Sequence, residues 1–137
     1  MNTRASSLHN YVPEQPRVLL VDDDDVNLLL TSVALRERGF SVTEATSGER
    51  AIRMLADWLP DVVVLDYIMP GVSGADVARE ILAEAPDQVV LFVSGFSRTD
   101  AIAAVAPDAP LLTKPFRAEA LDAAVREAIK NRRCRAI

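Results

Sequence analysis

The stretch Asp61-Val62-Val63-Val64-Leu65-Asp66, continuing as Tyr67-Ile68-Met69-Pro70-Gly71, decides the fold. Four consecutive branched apolar residues, Val62 to Leu65, predict a strand buried on both faces, as parallel sheets covered by helices produce. A carboxylate, Asp66, stands at the carboxyl end of that strand, and Met69-Pro70-Gly71 turns the chain away. In open α/β sheets the reactive crevice lies just beyond the carboxyl ends of the strands. Asp66 is therefore delivered to the place where such an architecture keeps its chemistry. A lone Asp after a strand would do no more than cap the loop, so the rest of the chain must decide.

Upstream, Val18-Leu19-Leu20-Val21 is a short apolar strand that breaks at Asp22-Asp23-Asp24-Asp25. Asp25 is expected to cap the helix that follows, its charge suiting the positive end of the helix dipole. Val26, Leu30, Val33 and Ala34 fall at i, i+4, i+7 and i+8 as a core-facing stripe, and Gly39 ends the helix. Leu28, Leu29 and Leu35 lie outside that stripe and either widen the buried face or form a docking patch for a partner helix. Ser41 to Ala45 alternates polar and apolar, which suits an edge strand. Thr46-Ser47-Gly48-Glu49 has the spacing of a capping box. Its helix carries Ala51, Ile52, Leu55, Ala56 and Leu59 on one face, and Pro60 stops it.

Downstream, Ser73-Gly74-Ala75-Asp76 starts a helix with Val77, Ala78, Ile81 and Leu82 inward. Val89 to Val93 is a fourth strand, again apolar on both faces, ending in Ser94-Gly95. A short Ala-rich segment, Thr99 to Val105, is broken by Pro107 and Pro110. Leu111-Leu112-Thr113 is a weak strand for the other edge, ending in Lys114-Pro115-Phe116. A last helix carries Leu121, Val125 and Ile129 at i, i+4 and i+8 and frays into the basic run Asn131 to Arg135. Strands and helices alternate, which predicts an α/β, flavodoxin-like doubly wound five-stranded parallel sheet in the order 2-1-3-4-5, with helices on both faces. The expected organisation is a flexible tail over 1–16, one domain over 17–132 and a basic tail over 133–137.

Composition narrows the function. The 137 residues carry a net charge of −5 and a pI near 4.8, which argues against general affinity for nucleic acid or an anionic membrane. No apolar run approaches the ~18 residues of a membrane span. The start of the chain has no apolar signal-peptide core. The single cysteine, Cys134, has no partner for an internal disulfide, and the only histidine, His9, falls in the tail with no second ligand near it. These features together favour the cytoplasm.

A parallel sheet places all its strand ends on one rim. There the first strand supplies Asp22 and Asp23, the third Asp66, the fourth Ser94 and the fifth Lys114. Carboxylates gathered within a few ångströms repel one another, and a divalent cation removes the conflict. All-oxygen ligands point to Mg²⁺, which binds through one or two carboxylates, water and a phosphate oxygen. Lys114 is then a point charge for an incoming phosphoryl group, Ser94 a hydroxyl donor to its oxygens, and Asp66 a candidate nucleophile. Each residue alone has a bland reading as a solvated loop, a turn or a surface charge. Their joint appearance on successive strand ends does not.

At this point the chain resembles the receiver (CheY-like) domain of bacterial two-component response regulators, over about residues 17 to 132. The motifs that carry the resemblance are Leu20-Val21-Asp22-Asp23, Val64-Leu65-Asp66 with Met69-Pro70-Gly71, Phe92-Val93-Ser94, and Leu112-Thr113-Lys114-Pro115-Phe116. The resemblance implies that Asp66 accepts phosphate from a phosphohistidine on a sensor histidine kinase or histidine phosphotransfer protein. It implies Mg²⁺, or Mn²⁺ in its place, on Asp22, Asp23, Asp66 and the backbone carbonyl of Ile68. Ser94 takes the switch hydroxyl role, Lys114 pairs with the phosphate, and the Lys114–Pro115 bond is cis. The protein is then a signalling phosphoacceptor rather than a turnover enzyme. It would act on an unknown downstream protein as a monomer or a weak phosphorylation-dependent dimer.

Three departures from the family pattern stand out. Leu111 occupies the position of the usual aromatic switch residue, Gly95 follows Ser94 where Ala is common, and Ala106-Pro107-Asp108-Ala109 replaces the usual Gly-Ala turn. The first two resemble atypical receivers, including those of hybrid kinases. Ile68 and Phe96, two residues beyond Asp66 and Ser94, offer no polar group to steer a water, which predicts slow self-dephosphorylation.

The rival from another class is a phosphorylation-independent receiver-like adaptor, against which the acidic pair, Asp66 and Lys114 all speak. An FMN binder of the same topology would need a Gly/Ser/Thr-rich phosphate loop where four aspartates stand. An aspartyl-phosphate hydrolase usually needs a second carboxylate at the position of Ile68.

Overall fold

The structure is a computed structural model, and it describes residues 12–135 except Ile68, residues 70–72, residues 96–99 and Pro107. The expectations on His9, Ile68 and Phe96 lie outside the described residues. Ten elements alternate among the described residues: β1 (Arg17–Val21), α1 (Asp25–Glu37), β2 (Ser41–Ala45), α2 (Gly48–Leu55), β3 (Val62–Asp66), α3 (Gly74–Glu84), β4 (Val90–Ser94), α4 (Asp100–Val105), β5 (Leu111–Thr113) and α5 (Ala118–Arg135). The five strands form one parallel sheet in the order β2-β1-β3-β4-β5, as expected.

The sheet divides the core in two. On one face Val18, Leu20, Val62, Val64 and Leu91 meet α1 through Leu28 and Leu35, and α5 through Leu121, Val125 and Ile129. On the other, Leu19, Val21, Val63, Leu65 and Phe92 meet α2 through Ala51, and α3 through Val77, Ala78 and Ile81. β3 and β4 are buried along their whole lengths, whereas β2 buries only Val42 and Ala45 and β5 is half exposed. Continuous apolar runs thus take the centre and mixed ones the edges.

The phase of α1 departs from the sequence reading. Leu28, Ser32 and Leu35 face the core, while Val26, Leu30 and Val33 of the expected stripe are exposed together with Leu29 beside it. The helix is apolar on nearly every side, so periodicity alone does not choose between two rows of similar hydrophobicity. The cap is Asp24 rather than Asp25, with its carboxylate accepting from the amides of Val26 and Asn27. Gly39, at φ 95°, closes the helix as a C′ glycine, with Phe40 N donating to Leu35 O. In α2 the cap is Ser47 rather than Thr46, and the helix ends at Leu55, which leaves Leu59 outside it and exposed.

Residues 12–16, assigned to a tail by their composition, engage the domain: Val12 packs against the α1/α5 core and Pro16 O accepts from Ser41 N. At the other end α5 continues to Arg135. Its Asp122 binds Arg126 (2.5 Å) and Arg38 (2.6 Å), and Arg126 lies over the Phe40 ring. The α1–β2 turn is thereby fastened to α5.

Candidate functional site

The parallel register brings the strand ends together. Val21 of β1 pairs with Leu65 of β3, so Asp22 and Asp66 each stand one residue beyond a paired position. Carboxylate oxygens of Asp22, Asp23 and Asp66 all lie within 4.8 Å of one another. Asp22 and Asp66 are largely buried, and Asp23 is exposed at the mouth. On the β5 side, Lys114 Nζ lies 3.6 Å from Asp66 Oδ1. The Lys114–Pro115 peptide is cis, as the sequence reading expected. Ser94, fully buried, ends β4 one residue past the Val93 that pairs with Asp66, and its carbonyl accepts from Lys114 N at 2.7 Å. Ile68 falls outside the described residues.

Two residues that sequence reading did not assign shape this rim. The Asp24 amide donates to Asp22 Oδ1 at 3.0 Å while the Asp24 side chain caps α1, so one residue both orients a site carboxylate and starts a helix. The aspartate run hid this, because four equivalent caps stand side by side. Gly74, at the start of α3, is the other. Its amide donates to Tyr67 O at 2.7 Å, and a Cβ there would lie 2.7 Å from both Asp66 O and Tyr67 Cα. Only a bare α-carbon lets α3 come this close behind the central aspartate.

Electrostatics match the crowding. Burial pushes the Asp22 carboxyl above the usual range, with the neighbouring Asp23 and Asp24 charges adding to it; the Asp24 amide and Lys114 oppose the shift. The site thus holds more negative charge than its own cation offsets. A hard divalent ion suits three such oxygens.

A sequence model of the family described as "Response regulator receiver domain" matches residues 18–126. The chain belongs to this family. It is therefore a receiver, of a family of signalling phosphoacceptors, with the CheY-like fold. Among curated proteins it is similar to the probable transcriptional regulatory protein TcrX of Mycobacterium tuberculosis, 39% identical over 104 residues that cover 74% of this chain and 44% of that one. The chain spans about half, or less, of the length of the curated relatives it matches. Among solved structures it is similar to a response regulator receiver domain protein from Clostridium thermocellum, 31% identical with a TM-score of 0.77, covering 89% of this chain and 99% of that one. Another is the response regulator protein TrrA from Thermotoga maritima in complex with Mg(2+)-BeF, 30% identical with a TM-score of 0.75, covering 83% and 99%.

Within the receiver, Leu111 is half-buried and packs against the core between the sheet and α2–α4. A groove of about 470 Å³ runs from Asp66 and Lys114 along Leu30, Thr31 and Ala34 of α1 to Phe116. Leu30, at 63% of full exposure, belongs both to this groove and to the exposed row of α1. No helix among the described residues is long and apolar enough to cross a membrane.

Proposed function

We propose that Asp66 accepts a phosphoryl group from a phosphohistidine on a sensor histidine kinase or a histidine phosphotransfer protein. The carrying observation is the convergence of Asp22, Asp23 and Asp66 within 4.8 Å with Lys114 at 3.6 Å from the central carboxylate. In this reading Asp22, Asp23 and Asp66, with the Ile68 carbonyl, hold Mg²⁺, and the described oxygens fit it. When bound, the ion neutralises the crowded carboxylates and the oxygens of the transferring group. The magnesium complex of the Thermotoga maritima relative supports the same choice of metal.

Asp66 Oδ attacks phosphorus in line as the bond to the imidazole nitrogen breaks, and the imidazole leaves with the electron pair. Lys114 pairs with a phosphoryl oxygen, and Ser94 donates its hydroxyl to another. The exposed apolar row Val26, Leu29, Leu30 and Val33 of α1 meets the groove that opens onto Asp66 at Leu30, which supports docking of the donor's helix there. Output passes by protein contact to a downstream partner, from a unit over residues 17–132.

The test is intact-protein mass spectrometry after incubation with a small phosphodonor and Mg²⁺. A single phosphoryl adduct is expected, lost in Asp66→Asn and without the metal. No adduct under any of these conditions would make the chain a binding module that is never phosphorylated.

A further inference from the structure

At the opposite end of the sheet from Asp66, the C-terminal ends of α2 and α3 frame a second groove of about 860 Å³. Ile52, Leu55, Trp58 and Ile81 give it an apolar lining, and Leu59 stands at its lip, 58% exposed. Trp58 and Leu59 follow the end of α2: the Trp58 ring is half-buried against the core between the sheet and α2–α3, whereas Leu59 beside it is left exposed. The loop is held in place. Arg17 Nη2 donates to Leu59 O at 2.7 Å, the Arg17 guanidinium lies 5.7 Å from the Trp58 ring, and Arg17 N donates to Asp61 Oδ2 at 2.8 Å. A groove wall fixed this way needs no ordering when something binds.

The rim supplies the sign of the occupant. Asp57, Glu80 and Glu84 line the groove and are exposed, opposed by Arg53. We propose that this groove docks a peptide segment of a partner protein that carries apolar side chains flanked by lysine or arginine. The apolar residues would seat against Trp58 and Ile52, and the cations against the acidic rim. The site shares no residue with the phosphoacceptor rim, so it stands independently of the function proposed above.

Trp58 is the only tryptophan in the chain, so its fluorescence reports this groove directly. The probes are two synthetic tryptophan-free peptides with the same leucine spacing, one flanked by lysines and one by glutamates, titrated into the full chain. The expected result is a saturable blue shift with the lysine peptide that weakens as NaCl rises from about 0.1 to about 0.5 M. Affinity should fall at least roughly tenfold in Glu80→Lys/Glu84→Lys and in Leu59→Ser, all exposed positions, while phosphoryl-adduct formation by these variants stays as in the parent. No shift, an equal response to the glutamate peptide, or undiminished binding by both variants would overturn the proposal. So would a blue shift that grows with protein concentration alone and tracks dimer formation in sedimentation, which would make a second copy the occupant.

Discussion

Lys114 Nζ lies 3.6 Å from Asp66 Oδ1, across the strand boundary between the sheet's centre and its edge. The Lys114 side chain is one-third exposed and that of Asp66 nearly buried, so the cation stands on the solvent side of the pair, where an anion would arrive. Lys114→Ala is expected to fold normally. Its phosphoryl adduct should form more slowly by on the order of tenfold or more, since a preorganised charge at the transferring group is lost. Timed mass spectra with a small phosphodonor would check this, and a rate equal to the parent's would remove Lys114 from the chemistry.

Gly74→Ala sets two effects against each other. Helix propensity favours alanine by about 1 kcal/mol, but the new methyl would sit 2.7 Å from Asp66 O and Tyr67 Cα, both backbone atoms. Overpacking wins, and a net loss of about 1–3 kcal/mol is expected in urea unfolding. Gly95→Ala, where a Cβ meets nothing within 4 Å among the described residues, should be close to neutral in the same experiment.

Asp22→Asn should separate stability from metal binding. The buried Asp22 carboxylate faces Asp23 and Asp66 within 4.8 Å, and removing its charge relieves repulsion in the metal-free protein. The melting temperature without Mg²⁺ should rise, by a stability gain of about 1 kcal/mol. The extra stabilisation that the parent gains from added Mg²⁺ should shrink. A variant stabilised by Mg²⁺ as much as the parent would exclude Asp22 from the ligand set.

Ser32 is fully buried on α1, and its hydroxyl has no hydrogen-bond partner among the described residues. Ser32→Ala removes an uncompensated polar group while keeping the packing shape. Stabilisation by about 1 kcal/mol is expected from denaturant midpoints. Destabilisation would mean that the hydroxyl is satisfied.

Acid stability should depend on Asp122. Burial raises its carboxyl, but hydrogen bonds from Arg38 and Arg126, together with their charges, outweigh this and leave the pKa below the ordinary value of 3.8. A depressed carboxylate stabilises the fold above its unfolded pKa, and that contribution is lost as pH falls through the folded one. Asp122→Asn should therefore cost on the order of 1 kcal/mol at pH 7, with the difference from the parent closing as the pH falls below the ordinary carboxylate value and through the depressed folded one. A gap that persists undiminished into acid would point to packing instead.

The sheet and its order were legible because each strand announces its own burial. Val62 to Leu65 is apolar throughout and lies at the centre, while Ser41 to Ala45 alternates and lies at the edge. The rim was legible for the same reason, since a parallel sheet puts Asp22, Asp23, Asp66, Ser94 and Lys114 on one side whatever the helices do. What stayed hidden depends on tertiary contact. The phase of α1 could not be set from a helix with apolar residues on most sides, and Ser32 masked the true buried row. Neither could Gly48 and Gly74 be known as contact points, against Val77 and against the backbone of Asp66 and Tyr67, because a close approach leaves no mark in the chain that makes it.

Asp24 ties two of these features into one mechanical part. Its amide steadies Asp22 and its carboxylate steadies the first turn of α1, whose outer row is exposed. The helix is in effect the handle of the acidic pocket. Reciprocity then requires that whatever factor a partner's grip on α1 changes in the affinity for a cation, the cation changes in the grip.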